Sequence, residues 1–228
     1  MRRMFRGLFS QLKRTLSLLW RRVLPLALPL LLPSAAAPAA AWEAGGLIFS
    51  DELGGFRLLS ASGSGSLSDP IVLVEDIAGP GPAVLLVRNH RRGAVTDLGG
   101  QREGNAFLGL VMVKKVTNRS PFRWSGFEME LREELHQPSV YSDGLSFDQL
   151  GSIRQNLYSD RFSQVKKANE PYDRLTFDRG RLEPRETATF FFNVVDLSPG
   201  PIFYLVQEPV MLLSDAPAAG RKLQVTAR

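Results

Sequence analysis

Residues 107–113, Phe-Leu-Gly-Leu-Val-Met-Val, run apolar with no polar interruption. A second pattern begins soon after. From Phe127 to Arg132 the chain alternates, with Phe127, Met129 and Leu131 on one face of an extended strand and Glu128, Glu130 and Arg132 on the other. A short apolar run without alternation suits a strand covered on both faces, whereas period two with one polar face marks a strand packed on one side. Gly109 inside the first run points to a bulge or a close backbone approach. Thr117-Asn118-Arg119-Ser120-Pro121 joins the two, and Pro121, having no N–H, belongs in the connection. The expectation is a central strand and its hairpin neighbour. Val111 or Val113 should then be buried, Phe127, Met129 and Leu131 should share that core, and Glu128 and Glu130 should face solvent. Trp124, at the start of the second strand, is expected to pack in the core or at its rim.

The rest of the chain repeats the extended theme. Leu47-Ile48-Phe49, Gly55–Leu59, Ile71–Glu75, Ala83–Val87, Arg174–Phe177, Thr187–Val195, Ile202–Val206 and Leu223–Val225 all read as short strands. Ala78-Gly79-Pro80-Gly81-Pro82 between two of them suggests a hairpin turn. Ser60–Asp69 reads as a flexible spacer and contains no G-x-S-x-G or phosphate-binding glycine pattern. Asn89–Gly104 reads as a solvated polar loop carrying Arg91, Arg92 and Arg102. Ser146-Phe147-Asp148-Gln149 matches a capping box, and Phe147, Leu150, Ile153 and Leu157 follow at helical spacing. The reading is an all-β antiparallel sandwich, immunoglobulin-like or jelly-roll-like, with one long insertion that runs to about Pro171 and carries a short helix.

The N-terminus has a different character. Met1–Arg22 is cationic, Val23–Leu32 is apolar, and small residues follow through Ala41, the order of a secretory signal peptide. Residues 1–41 are read as that signal, with cleavage before Trp42 or, alternatively, after Ala37, and residues 42–228 as one sandwich domain. Ten apolar residues broken by Pro25 and Pro29 are too few for a membrane-spanning helix, which takes about 20. No stable span is expected after cleavage. Arg2-Arg3-Met4-Phe5 and Arg21-Arg22-Val23-Leu24 resemble pieces of a twin-arginine signal, but both lack its preceding Ser/Thr and following Lys, so the general secretory route is the reading. The basicity resides in this segment. It holds seven cations and no acid, which leaves 28 − 7 = 21 Lys and Arg against 23 Asp and Glu in the remainder, a formal charge of −2. A mature chain so balanced gives no electrostatic case for nucleic-acid binding.

Cysteine is absent, which removes disulfides, thiolate nucleophiles, Cys-ligated metals and a lipoprotein anchor. Only His90 and His136 are present, and H-E-x-x-H is not. A catalytic zinc site or a Ser-His-Asp triad would need one or both in the right company. No residue is assigned a catalytic role. The long insertion concentrates acids beside aromatics: Tyr141, Asp143, Asp148, Tyr158, Asp160, Tyr172 and Asp173 form the candidate ligand-binding set, for a glycan or Ca²⁺. Asp143-Gly144 lacks the spacing of an EF-hand loop, and ordinary turn and capping acids are the alternative reading.

Two stretches resemble sequences that recur in exported bacterial β-sandwich proteins of the PEP-CTERM-type surface group. One is Thr117-Asn118-Arg119-Ser120 with Trp124, Phe127, Met129 and Leu131. The other is Leu175-Thr176-Phe177 with Gly180, Leu182, Pro184, Phe190-Phe191-Phe192 and Asp196. The resemblance implies fold, not catalytic residues. The sequence has no Pro-Glu-Pro motif and no apolar C-terminal helix, so surface sorting by that route is not expected. The functional expectation is an exported, non-catalytic binding or structural module, periplasmic or extracellular, with an unidentified protein or glycan partner. A carbohydrate- or calcium-binding module and a secreted hydrolase with a carboxylate pair are the alternatives.

Overall fold

The computed structural model describes residues 39–89, 108–139, 143–147, 157–168 and 172–211, and these form strands without any helix. The first strands are β1 (Ala41–Ala44), β2 (Leu47–Ser50), β3 (Arg57–Ser62), β4 (Ile71–Ile77) and β5 (Ala83–Asn89). Then come β6 (Leu108–Asn118), β7 (Trp124–Arg132), β8 (Leu145–Phe147) and β9 (Tyr158–Ser159). The remaining four are β10 (Phe162–Ala168), β11 (Arg174–Gly180), β12 (Thr187–Asp196) and β13 (Ile202–Met211). Seven make one sheet in the order β1-β2-β5-β13-β7-β11-β10; β3-β4-β6-β12-β8 make the other, with β9 also pairing to β12. Pairing is antiparallel except between β4 and β6.

The two sheets enclose one apolar interior, as a sandwich must. Its densest part is aromatic. The Phe190 ring lies 4.8 Å from those of both Phe127 and Phe177 and 6.0 Å from Phe162, so both sheets meet on it. Phe127, Met129 and Leu131 all face this interior, in agreement with the alternation read from the sequence.

The expected hairpin is not there. β6 and β7 lie in different sheets, and residues 119–123 arch between them. The same holds for β4 and β5 across the Gly/Pro-rich stretch. The physical reason is that periodicity reports which faces are covered, not which strand lies alongside, and a five-residue connection spans the roughly 10 Å between packed sheets. The run without alternation was informative in its own way. β6 is covered on both sides, with Leu110 and Met112 facing the interior while Val111 and Val113, 5% and 6% exposed, lie on the outer face.

Asn118 shapes the β6–β7 arch. Its Nδ2 donates to the carbonyls of Phe122 at 2.8 Å and Leu182 at 3.1 Å, and its Oδ1 accepts from the Ser120 N–H at 2.9 Å and hydroxyl at 2.7 Å. The fully buried Trp124 donates its indole N–H to Ser120 Oγ at 3.1 Å and exchanges two backbone hydrogen bonds with Leu182. The stretches around Asn118 and around Leu182, distant in sequence, thus interlock at one end of the sandwich.

Two further expectations are corrected. Ser146 is not a helix cap: it lies within β8, extended and opposite Val195, so its backbone belongs to a sheet. Residues 148–156, where the helix was expected to continue, lie outside the described residues, as do residues 1–38, which the sequence reads as a signal, nearly all of the polar loop and Leu223–Val225. Nor is Ser60–Asp69 a spacer. Asp69 Oδ2 and its backbone carbonyl accept the Ser64 and Gly65 N–H groups at 2.8 and 2.9 Å, and Gly65 passes its own carbonyl to Val111 N at 2.9 Å. Gly63 makes this turn with φ of +98°, where an added Cβ would sit 2.0 Å from the Pro70 carbonyl oxygen.

Candidate functional site

The outer face of the seven-stranded sheet is the polar one. Register sets Glu130 of β7 opposite Val206 of β13 and Arg174 of β11. Glu128 stands opposite Glu208 and Thr176, and Arg132 opposite Tyr204. Side chains directly opposed on one face are within reach of each other, and here they form a network. Glu130 Oε1 accepts from Arg132 Nε at 2.6 Å, and Oε2 accepts from Arg174 Nη2 at 2.6 Å and Nε at 3.2 Å. Arg132 spends another donor on the Leu135 carbonyl at 2.8 Å. Arg174 lies 3.8 Å from Glu128, and its guanidinium carbon sits 5.6 Å from the centroid of the Tyr172 ring.

Glu130 was expected to face solvent. It does leave the core side, but the two guanidiniums close over it and leave it 5% exposed. Burial pushes its carboxyl up, and the hydrogen bonds from Arg132 and Arg174 outweigh that, so the net displacement is below the ordinary 4.5. A folded-state pKa lowered in this way stabilises the fold above the unfolded value and stops doing so as pH falls through the folded value. Arg174→Met should therefore lower stability at neutral pH and flatten its fall toward acid, because less of the variant's stability depends on Glu130 being ionised. Denaturant midpoints measured from pH 7 down to pH 3 should show the two curves apart at neutral pH and converging in acid; superimposable curves would mean that Arg174 does not hold this carboxylate.

Between Glu128, Glu130, Arg132, Arg174, Val206 and Glu208 lies a shallow depression of about 70 Å³. Pockets for drug-sized ligands run from roughly 300 to 1,000 Å³. The face is therefore an open platform with fixed charges and an exposed tyrosine at its side, not a cleft that encloses a small molecule.

The five sequence-derived site residues that the structure describes do not come together in one place. Tyr172 and Asp173 adjoin this platform, with Tyr172 45% exposed and the Asp173 carbonyl accepting Leu131 N at 2.9 Å. Tyr158 belongs to the other sheet and stacks on Phe191 at 4.1 Å. Asp160, beside it, accepts the Thr189 N–H at 2.7 Å. Asp143 turns the chain into β8, accepting Leu145 N at 2.9 Å and the Ser139 hydroxyl. Tyr141 and Asp148 lie outside the described residues. Asp143 and Asp160 thus do the turn and bridging work of the alternative reading. Among the described residues no three His, Cys, Asp or Glu side chains are grouped to hold a metal ion. Asp143 does have acidic company: burial, then the charge of Asp143, pushes the carboxyls of Glu133 and Asp196 up.

Glu130, Arg174 and Glu208 were missed. Each stands at an alternating strand position that reads as an ordinary solvated face; the signal that could have found them is the opposite charges on β7 and β11, usable only once those strands are known to pair.

No family model, curated protein or solved structure matches this chain. His136 lies on an exposed turn, and His90 is outside the described residues.

Proposed function

We propose that the protein is an exported, non-catalytic β-sandwich module of the periplasm or cell surface, and that it contacts a protein or glycan partner through the outer face of its seven-stranded sheet. One observation carries this reading: Tyr172, Arg174, Glu130 and Arg132 are locked into a single hydrogen-bonded and stacked array on an open face. Tyrosine and arginine held in place lose little freedom on contact, which is why they dominate binding surfaces. On this face a hydrolase reading finds no support from Glu130: a general acid needs a raised pKa, and Glu130 is held in the opposite direction by two guanidiniums.

The glycan alternative uses the same face, with Tyr172 as a stacking ring and Glu128 and Glu208 as acceptors for sugar hydroxyls. A glycan array probed with the full chain and with Tyr172→Ala tests it. Binding by the wild type, reduced about tenfold or more in the variant, is the expected result, since a base-of-site aromatic contributes on the order of 1–2 kcal/mol. An array without wild-type binding turns the platform toward a protein partner. Binding that Tyr172→Ala, Arg174→Ala and Glu208→Ala all leave unchanged moves the site off this face.

A further inference from the structure

Three polar side chains stand in the apolar interior with no exposure at all: Glu75 of β4, Lys114 of β6 and Gln207 of β13. Lys114 is ion-paired to Glu75 Oε1, and Gln207 Nε2 donates to Glu75 Oε2 at 2.7 Å. One carboxylate therefore holds an amine from its own sheet and a carboxamide from the opposite sheet. Gln207 Oε1 has no hydrogen-bond partner. Phe190 lies opposite Lys114 on β12, which places the amine beside the aromatic heart of the core. Burial holds the Lys114 amine below the ordinary lysine range, against the opposing pull of Glu75.

We propose that Lys114 and Gln207 condense to an intramolecular isopeptide bond, with Glu75 as the proton relay. A buried ion pair is weak as a stabilising device, because removing both charges from water offsets their attraction. A proton passed from the Lys114 ammonium to Glu75 converts two buried charges into two neutral groups and leaves Nζ a free nucleophile. The two ends of the carboxamide are related by a half-turn about χ3, so Oε1 can take the place of Nε2 beside the protonated carboxyl and be polarised by it. The Nζ lone pair then attacks Cδ, and the carbonyl π pair moves to Oε1, which takes the proton of Glu75. When the carbonyl re-forms, the Cδ–Nε2 bond breaks. The nitrogen leaves with its own two protons and two more that originate on Lys114, as ammonium, and Glu75 is a carboxylate again. No oxidant or cofactor enters. Holding the reacting groups on rigid strands is what makes so sluggish an acyl transfer feasible. The product joins β6 to β13, and so the two sheets, in a chain with no cysteine for a disulfide.

Intact-mass measurement of the purified, cooperatively folded chain tests the bond. The expected mass lies below that of the unmodified chain by one ammonia. A proteolytic digest should yield one branched peptide containing both Lys114 and Gln207. Lys114→Met and Glu75→Gln should each carry the full sequence mass. Folded wild type with no loss after prolonged incubation overturns the proposal. Loss of one water, mapped to Lys114 and Glu75, overturns the assignment of Gln207 as acceptor. Loss of ammonia that persists in folded Lys114→Met places the chemistry elsewhere and overturns it too. If neither variant folds, the branched peptide of the wild type alone decides.

Discussion

Phe190→Ala should cost about 4 kcal/mol, a large share of the roughly 5–15 kcal/mol that holds a domain folded. Phe190 is fully buried, and its ring lies against those of Phe127, Phe177 and Phe162. Those three rings sit on three different strands, all of the seven-stranded sheet, whereas Phe190 comes from the six-stranded one. Truncation opens a cavity that none of them can fill without giving up its own packing, which is the condition under which large-to-small changes cost most. The adjacent Phe191 provides the control. It lies on the outer face against Tyr158, which is itself 45% exposed. Phe191→Ala should cost about 1 kcal/mol, in the ordinary range for a partly exposed site. Urea melts of the two variants should separate clearly, and near-equal midpoints would refute the register that puts Phe190 inside.

Asn118→Ala is expected to cost about 3 kcal/mol. The side chain closes four hydrogen bonds at the arch, and its loss leaves the Leu182 carbonyl and the Ser120 hydroxyl in a buried setting with fewer partners. Unmade bonds of buried groups are penalised by about 1–3 kcal/mol each, less where a neighbour or water takes over. Asn118→Asp preserves the shape and is a sharper probe. It would point a carboxylate oxygen at the carbonyls of Phe122 and Leu182, which now receive an N–H. At neutral pH Asn118→Asp should be at least as damaging as Asn118→Ala. Below about pH 4 it should recover part of the loss, because a protonated carboxyl can again donate to one carbonyl. Thermal melts across pH read both effects. A neutral-pH Asn118→Asp variant as stable as the wild type would show that the arch is not organised by this side chain.

Asn118 also illustrates what the sequence could convey. Thr117-Asn118-Arg119-Ser120 stood out as a polar interruption, and Pro121 placed it in a connection. The alternation from Phe127 to Leu131 correctly divided core from outer face. What stayed hidden is partnership. Whether β6 lies beside β7 or beside β12 depends on residues scores of positions apart, such as Phe191 against Val113, and no local pattern encodes that. The platform was illegible for the same cause: Glu130 reads as a solvated acid until β11 brings Arg174 across to it. Lys114 was harder still. A lysine ending an apolar run looks like a strand leaving the core, and only Glu75 and Gln207, both remote, explain why it stays inside. Conversely, Asp143, Tyr158, Asp160 and Tyr172 are close in sequence but divided in space, Tyr158 pairing into the six-stranded sheet while Tyr172 adjoins the other.

The position of β13 has a kinetic consequence. It lies in the middle of its sheet, with β5 on one side and β7 on the other, and it brings Gln207 against Ala83 and Met129. Until that strand arrives, the sheet consists of two separated halves, β1-β2-β5 and β7-β11-β10, each with an open edge toward the gap. A chain emerging from the ribosome can form the hairpins β1–β2 and β10–β11 early, but the sandwich cannot close before residues near 211 are available. Topologies dominated by such distant pairings fold slowly, on the order of milliseconds to seconds. On the proposal that the protein is exported, that delay keeps the polypeptide in a transportable state while it is being made.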